Sequence, residues 1–387
     1  MRILHLCLAC FYIDGYNYQE NVLPRIAKEK GNEVMIIAST ETYIDNVRIG
    51  HVKPGRYVTE YNVPIIRLPY KKIINTWFSS KIREYKGLYE EIEAFNPKLI
   101  FSHDLSYLSL KDVVKYVKKH AGVTLLSDTH TAYYNSGQNW ASMHILHKMI
   151  YRRVIQNAMP YVEKVYYIGP NEKRFSKEIY GIPESKMEFL PLGGTILSQE
   201  QRVKYRKQYR KDLNIGEDTL LLVHSGKLNK SKKTVELIKA YKRIAEWDSM
   251  LVIIGSLDEE IKEEVNVLIG EDPRIKYLGW KEANYLSSFL CACDLYCQPG
   301  SPSATLQNAI CCGCAIMAKE LDGYKLLDLG NFIWAETEKS IYDSLVDIRA
   351  QKINIARMKE NSMLCAERYL DYNRMEEIIR GQVCKDN

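Results

Sequence analysis

Short runs that are apolar throughout alternate with segments whose apolar residues recur every three to four positions, and this rhythm covers most of the chain. In the first half, "RILHLCLA", "NEVMIIAST", "VPIIRLPY", "PKLIFSHD", "VTLLSDTH" and "EKVYYIGP" predict strands. Between them, "YQENVLPRIAKEKG", "GLYEEIEAFN", "KDVVKYVKKHAG" and "NEKRFSKEIYG" predict helices. Strands apolar on both faces and separated by helices imply a parallel sheet covered on both sides. The first run could pass for the apolar core of a leader. The polar "DGYNYQEN" follows it at once with no small-x-small site, so a first buried strand is the better reading.

After the short strand and glycine turn of "KMEFLPLGG" comes "QEQRVKYRKQYRKDLNIGED", a polar, basic stretch read as a boundary. The same rhythm then restarts with "TLLLVHSGKL", "KTVELIKAYKRIAEW", "SMLVIIGSL", "RIKYLGW", "CDLYCQPG", "ATLQNAICCG" and "CAIMAKE", and ends in two helical segments. The expectation is an α/β chain of two Rossmann-like domains with parallel sheets facing a cleft. The first spans 1–195, a linker 196–215 and the second 216–365. Ligands of such sheets bind at the carboxyl ends of the strands.

A length of 387 residues fits two domains. The net charge of +6 suits a protein that handles phosphates and is too weak to argue for nucleic acid. Six of the ten cysteines fall between Cys291 and Cys314 in apolar runs without zinc spacing, so they read as buried free thiols of a cytoplasmic protein. No apolar run reaches the roughly eighteen residues of a transmembrane helix.

Four features carry chemistry. In "LVHSGKLNKSKKTVELIKA" a buried strand delivers Gly226 and Lys227, then a polar loop with Lys232 and Lys233, then a helix. Glycine lets backbone approach a ligand, and two cations about five residues apart suit a diphosphate; a solvated lysine run is the alternative. In "QPGSPSATLQNAICCGCAIM", Gly300, Ser301, Ser303, Ala304 and Thr305 lead into a helix with Gln307 in its first turn. This is either an anion pocket with Gln307 facing a ribose or sugar hydroxyl, or a plain serine-capped helix. His103 with Asp104, and His130, stand at the ends of two strands, where ligands bind. Gly15, followed by Tyr16, lies in the loop after the first strand. That loop lacks the G-x-G-x-x-G fingerprint, which argues against a nicotinamide cofactor.

Together these segments resemble the GT-B glycosyltransferases, and specifically the retaining family 4 (glycosyltransferase group 1), over nearly the whole chain. The family frame "GR-L-x-x-x-KG" is matched by Gly226, Lys227, Leu228, Lys232 and Lys233, with Lys227 for the arginine and Lys232 for the lysine. "CDLYCQPG…LQNAICCGCAIMA" is similar to "ADLFVLPS…LEAMACGxPVVA". The two glutamates of the family's E-x7-E arrangement would fall at Pro299 and Gln307, so neither is present. "LLSDTH" is similar to the family strand whose histidine lies near the donor sugar, which marks His130. "LPLGG" is similar to the family's "IPNGV", and the helical segment 366–387 resembles the one that crosses back to the first domain.

The resemblance implies a retaining, metal-independent hexosyltransferase with no resident cofactor. Its second domain would hold a UDP- or GDP-type sugar donor through Gly226, Lys227, Lys232 and the 300–307 segment. Lys227, Lys232 and His130 would be the catalytic groups. Gly15, Tyr16, His103 and Asp104 would lie on the side of a glycan or lipid-linked acceptor, in bacterial surface polysaccharide synthesis. The mix of Lys71, Lys72, Lys81 and Arg83 with Trp77 and Phe78 suits peripheral contact with the inner membrane face, although an ordinary helix and loop with core aromatics is the preferred reading. The missing glutamates leave a non-catalytic partner subunit open, and the fold leaves a nucleotide-sugar epimerase open.

Overall fold

The computed structural model describes residues 1–43, 48–72, 76–303 and 305–383, and the side chains of Thr76 and Trp77 are outside it. Ala304, expected in the donor loop, and the Trp77 side chain therefore lie outside the described residues. The chain divides into two compact units, Met1–Leu192 with Tyr372–Asn387, and Gly193–Asp371.

In the first unit the sheet order is Met187–Phe189, Val162–Tyr167, Thr124–Thr129, Leu99–His103, Arg2–Cys7, Glu33–Ser39, Pro64–Leu68, Gly55–Val58. Pairing is parallel except between the last two. The central strands are buried on both faces, as their unbroken apolar runs require: Leu4, Leu6, Ile37, Ile100 and Phe101 are inaccessible. On one face, the helix Gln19–Glu29 packs Val22, Leu23 and Ile26 against the sheet. On the other, Leu88–Phe95, Leu110–Lys119 and Arg152–Ala158 bury Ile92, Val113 and Ile155. The edge strand Gly55–Val58 escapes a reading by periodicity because all four of its residues are exposed.

In the second unit the order is Ile275–Tyr277, Ser249–Leu257, Leu220–Leu228, Leu295–Gln298, Ala315–Ala318, Phe332–Trp334, all parallel. The stretch expected to be a linker is corrected here. Residues Gln199–Leu213 form an α-helix of the second unit, opened by a capping box between Ser198 and Gln201. Its sequence hides this because one buried position is a cation. The Arg210 guanidinium is buried with Tyr209 and Leu213, donating to Asp294 Oδ2 at 3.1 Å and to the carbonyls of Gly216 and Thr219. The division falls instead between Leu192 and Gly193. The return to the first unit begins at Tyr372, not at residue 366. From there the helix Tyr372–Gly381 buries Tyr372, Met375 and Ile379 in the first unit's core, and Glu376 and Glu377 pair with Lys30.

The nine described cysteines are free thiols, eight of them buried. Among the described residues no helix is long and apolar enough to cross a membrane.

Candidate functional site

In the second unit, the strand Leu220–Leu228 ends on Gly226 and Lys227, a 3-10 turn follows over Lys230–Lys232, and the loop after Leu295–Gln298 folds onto it. The contact between turn and loop is backbone against backbone. A Cβ on Gly300 would stand 2.1 Å from the Ser231 carbonyl oxygen, so only glycine fits. Ser301 N–H donates to that carbonyl at 2.8 Å, and the Ser231 and Ser301 hydroxyls meet at 2.9 Å. Gly226 takes φ +139, a conformation that side chains disfavour.

Lys232 is the centre of this arrangement. It is 8% exposed, and its Nζ donates to the carbonyls of Ser301 at 2.9 Å and Pro302 at 2.7 Å. Among the described residues no carboxylate pairs with it, and burial pulls its pKa below the ordinary lysine value. A buried ammonium held by neutral carbonyls alone is a cation short of a counter-ion. Lys227 is exposed at the strand end and forms no ion pair among the described residues. Lys233, by contrast, is committed to Glu236 at 2.8 Å. Further along the loop, Ser303 Oγ accepts from Thr305 N–H at 3.3 Å, and Gln307 is half-buried in the helix Thr305–Cys311. The structure thus brings together Gly226, Lys232, Gly300 and Ser301 of the residues expected to hold an anion.

A second cluster lies in the first unit, at the carboxyl ends of its central strands. Register places His103 opposite Asp128 on adjacent parallel strands. His103 Nδ1 donates to Asp128 Oδ2 at 3.0 Å, and Gln19 Nε2 donates to the same oxygen at 3.0 Å. Asp128 Oδ1 accepts the Asp104 N–H at 2.9 Å. His130 Nε2 stands 3.2 Å from Asp128 Oδ2 as an ion pair without hydrogen-bond alignment.

Burial works against charge on both rings, and the Asp128 carboxylate outweighs it, raising His103 to about 9 and His130 to about 10. Burial also works against the Asp128 charge, yet the two imidazoles hold its carboxyl well below the usual range. His5 goes the other way, pushed well below its ordinary value by burial and then by the His103 charge. Neutral His5 therefore accepts, at Nδ1, the Nε2–H of His103 at 3.3 Å. Glu20 supplies a second carboxylate, so two acids face two imidazoliums.

His103 and Asp104 were expected on the acceptor side. Both are buried. Asp104, with φ +68, spends its carboxylate on the N–H groups of Leu105, Ser106 and His130 and on the Thr131 hydroxyl. They hold the cluster's shape, and the ring with an outlet is His130, whose side chain is 23% exposed. Gly15 and Tyr16 sit on the outer part of the loop, Gly15 exposed with its N–H on Glu60 at 3.2 Å. The loop reaches the cluster through Gln19 and Glu20 at the following helix. Sequence reasoning missed these two and Asp128, although Asp128 and His130, two apart at a strand end, share a spacing that points to one side.

Among the described residues, Glu20, His103 and His130 each offer a ligand atom, all within 4.8 Å of one another, so they could hold a metal ion. In the arrangement present, protons shared with Asp128 and His5 occupy the His103 nitrogens, which suits a cationic pair better than a metal cage.

The segment expected to meet a membrane is partly engaged internally. Lys71 pairs with Glu84 at 3.0 Å, and Arg83 Nη1 donates to the Ser106 carbonyl and hydroxyl.

Residues 205–325 match the family model of the glycosyl transferases group 1. No curated protein matches the chain. Among solved structures, Anabaena HepE in complex with UDP is 15% identical at a TM-score of 0.64, over 99% of this chain and 100% of that one. A glycosyltransferase from Rickettsia africae is 12% identical at 0.66, over 100% and 99%. WaaG, a glycosyltransferase involved in lipopolysaccharide biosynthesis, is 14% identical at 0.57, over 98% and 100%. Residues 205–325 thus resemble the glycosyl transferases group 1, in a chain with the GT-B fold of two Rossmann-like units.

Proposed function

We infer that the chain is a retaining glycosyltransferase that moves a hexose from a UDP- or GDP-type sugar to a glycan or lipid-linked acceptor of bacterial surface polysaccharide. The observation that carries this reading is Lys232, a buried ammonium clamped by the Ser301 and Pro302 carbonyls with no carboxylate partner among the described residues. A diphosphate supplies the missing negative charge. Lys227, exposed at the neighbouring strand end, adds a second cation to the same group.

As the bond from sugar to diphosphate loosens, negative charge gathers on the departing oxygens, and fixed cations stabilise it. These lysines fill the place a metal ion takes elsewhere, so the reaction is proposed to need none and no cofactor. His130, charged by Asp128, is assigned to a hydroxyl of the transferred sugar, as a hydrogen-bond donor. HepE has been solved with UDP-glucose, and WaaG is involved in lipopolysaccharide biosynthesis, which support the donor class and the kind of acceptor.

The test is a screen of UDP- and GDP-sugars, with and without glycan acceptors, before and after dialysis against chelator. Release of nucleoside diphosphate that depends on acceptor supports transfer. Isomerised sugar without acceptor would replace this reading with epimerisation, and tight donor binding without turnover would replace it with a partner subunit.

A further inference from the structure

The second unit contains two Cys-x-Cys sequences, Cys291-Ala292-Cys293 and Cys312-Gly313-Cys314, and the fold lays one against the other. Cys291 closes the helix Ala283–Leu290. Cys312 follows the helix Thr305–Cys311, and Gly313, at φ +79, turns the chain toward the strand Ala315–Ala318. Two rungs of thiols result. In the outer one, Cys291 and Cys312 are hydrogen-bonded, and both sulfurs lie on one acceptor, the Ser287 carbonyl oxygen, at 3.7 and 3.2 Å. In the inner one, Cys293 and Cys314 are hydrogen-bonded likewise.

The rungs differ in their surroundings. Cys293 and Cys314 are sealed, at 1% and 0% exposure, and burial pushes the Cys293 thiol up. Cys291 and Cys312 reach the boundary of the fold, at 6% and 8%. Beside them stands Arg202, from the start of the helix Gln199–Leu213. Its Nη1 meets the Met363 sulfur, and a Cβ on Gly313 would lie 3.6 Å from that nitrogen. Among the described residues its buried Nε has no hydrogen-bond partner, and no carboxylate pairs with the guanidinium. The Cys312 thiol, as hydrogen-bond donor, lowers the pKa of Cys291; burial opposes this, and the Arg202 charge adds to the lowering. Cys312 is driven the other way, first by Cys291 and then by burial. One sulfur is thus placed to be the thiolate while its neighbour keeps a proton.

We propose that Cys291 and Cys312, with Arg202 beside them, form a dithiol site that hydrogen peroxide oxidises to a disulfide. The Cys291 thiolate attacks one peroxide oxygen and the O–O bond breaks. Sulfenic acid forms on Cys291, and the hydroxide released takes up the proton that Cys291 had given to solvent, becoming water. The Cys312 sulfur then attacks the Cys291 sulfur. The S–S bond forms, and the sulfenic oxygen leaves with the Cys312 proton as a second water. Two thiols lose two electrons and two protons, and one peroxide becomes two waters. Arg202 holds the thiolate and donates toward the departing oxygen. Peroxide is small enough for a site this little exposed, whereas a bulky disulfide oxidant would need the fold to open. The resolving thiol is already in contact, so no rearrangement precedes the second step. The bond would tie the far end of the helix bearing Thr305 and Gln307 to the helix Ala283–Leu290. The inference is independent of the sugar-transfer reading.

The experiment treats the full chain, carrying Cys384→Ser because Cys384 lies outside the described residues, with a small excess of hydrogen peroxide. Remaining thiols are then alkylated and the peptides mapped by mass spectrometry. A Cys291–Cys312 linkage should be the first product, and dithiothreitol should reverse it. Exposure alone would favour Cys10, the described cysteine that is not buried, so the order of modification discriminates. Cys312→Ser should stop at sulfenic acid on Cys291, captured by dimedone, and Cys291→Ser should abolish both products. Arg202→Gln should slow the first step by about tenfold, through loss of the charge that favours the thiolate. Circular dichroism of each reduced variant certifies its fold, and the order of modification in the parent decides the question even where a variant does not fold. Oxidation of Cys10 before Cys291 would overturn the proposal. So would a Cys293–Cys314 linkage in place of the outer one, or sulfinic acid on Cys291 without pairing to Cys312.

Discussion

Asp128 Oδ2 stands 3.2 Å from His130 Nε2, and the same oxygen accepts from His103, so one buried carboxylate holds two rings in place. His130→Ala is therefore expected to lower the transfer rate by roughly a hundredfold while leaving nucleoside diphosphate affinity within about twofold. Steady-state kinetics and calorimetric titration of both proteins check this. Equal losses in both quantities would mean that His130 serves folding rather than the sugar.

The same pair predicts a pH dependence. His130 rises from its ordinary 6.5 to about 10, so transfer should be flat through neutral pH and decline only near that value. Asp128→Asn removes the charge that raises it, and the alkaline limb should move down toward 6.5. Stability follows the same signs. The His130 contribution is complete below 6.5 and lost as pH rises toward 10. The Asp128 contribution is complete above its ordinary 3.8 and lost as pH falls through its lower folded value. Denaturant melts across pH read this out directly.

Lys232 and Lys227 should act on affinity for the diphosphate. Replacing both by alanine is expected to weaken binding of UDP or GDP by tenfold or more, since a charged hydrogen bond contributes roughly 1.5–3 kcal/mol. Lys232→Ala alone should have the larger effect, because it also releases the carbonyls of Ser301 and Pro302. Titration calorimetry at two salt concentrations distinguishes the exposed Lys227, whose share should be the more easily screened.

Gly300→Ala places a methyl group 2.1 Å from the Ser231 carbonyl oxygen. The turn and the loop must part, at a cost of about 1–3 kcal/mol in stability and with weaker diphosphate binding. Melting and titration should both move; a variant unchanged in both would refute the close packing described for this loop.

Asp294 tests the helix that sequence reading took for a linker. Its carboxylate accepts from Arg206 at 3.0 Å, Arg210 at 3.1 Å and Lys359 at 2.7 Å. Asp294→Ala leaves the Arg210 guanidinium buried without its acid, and about 3–5 kcal/mol of stability should be lost in urea denaturation. Were Gln199–Leu213 only a tether, the loss would be small.

The chain's rhythm of apolar runs and amphipathic segments was enough to determine two parallel α/β sheets, because a strand covered on both faces must be apolar throughout. It also located Gly226, Lys232 and the Gly300 loop, since a glycine at a strand end and a lysine in the turn behind it are local features. What periodicity cannot report is which distant side chains meet. Register alone put His103 across from Asp128, packing alone let Gln19 and Glu20 join them, and only the fold buries His103 and Asp104. The helix Gln199–Leu213 was hidden for the same reason: Arg210 reads as solvated until its acid, far along the chain, is brought beside it. Local sequence sets the strands and helices, and only the folded pairing of remote groups sets which polar residues are buried and what charge they carry there.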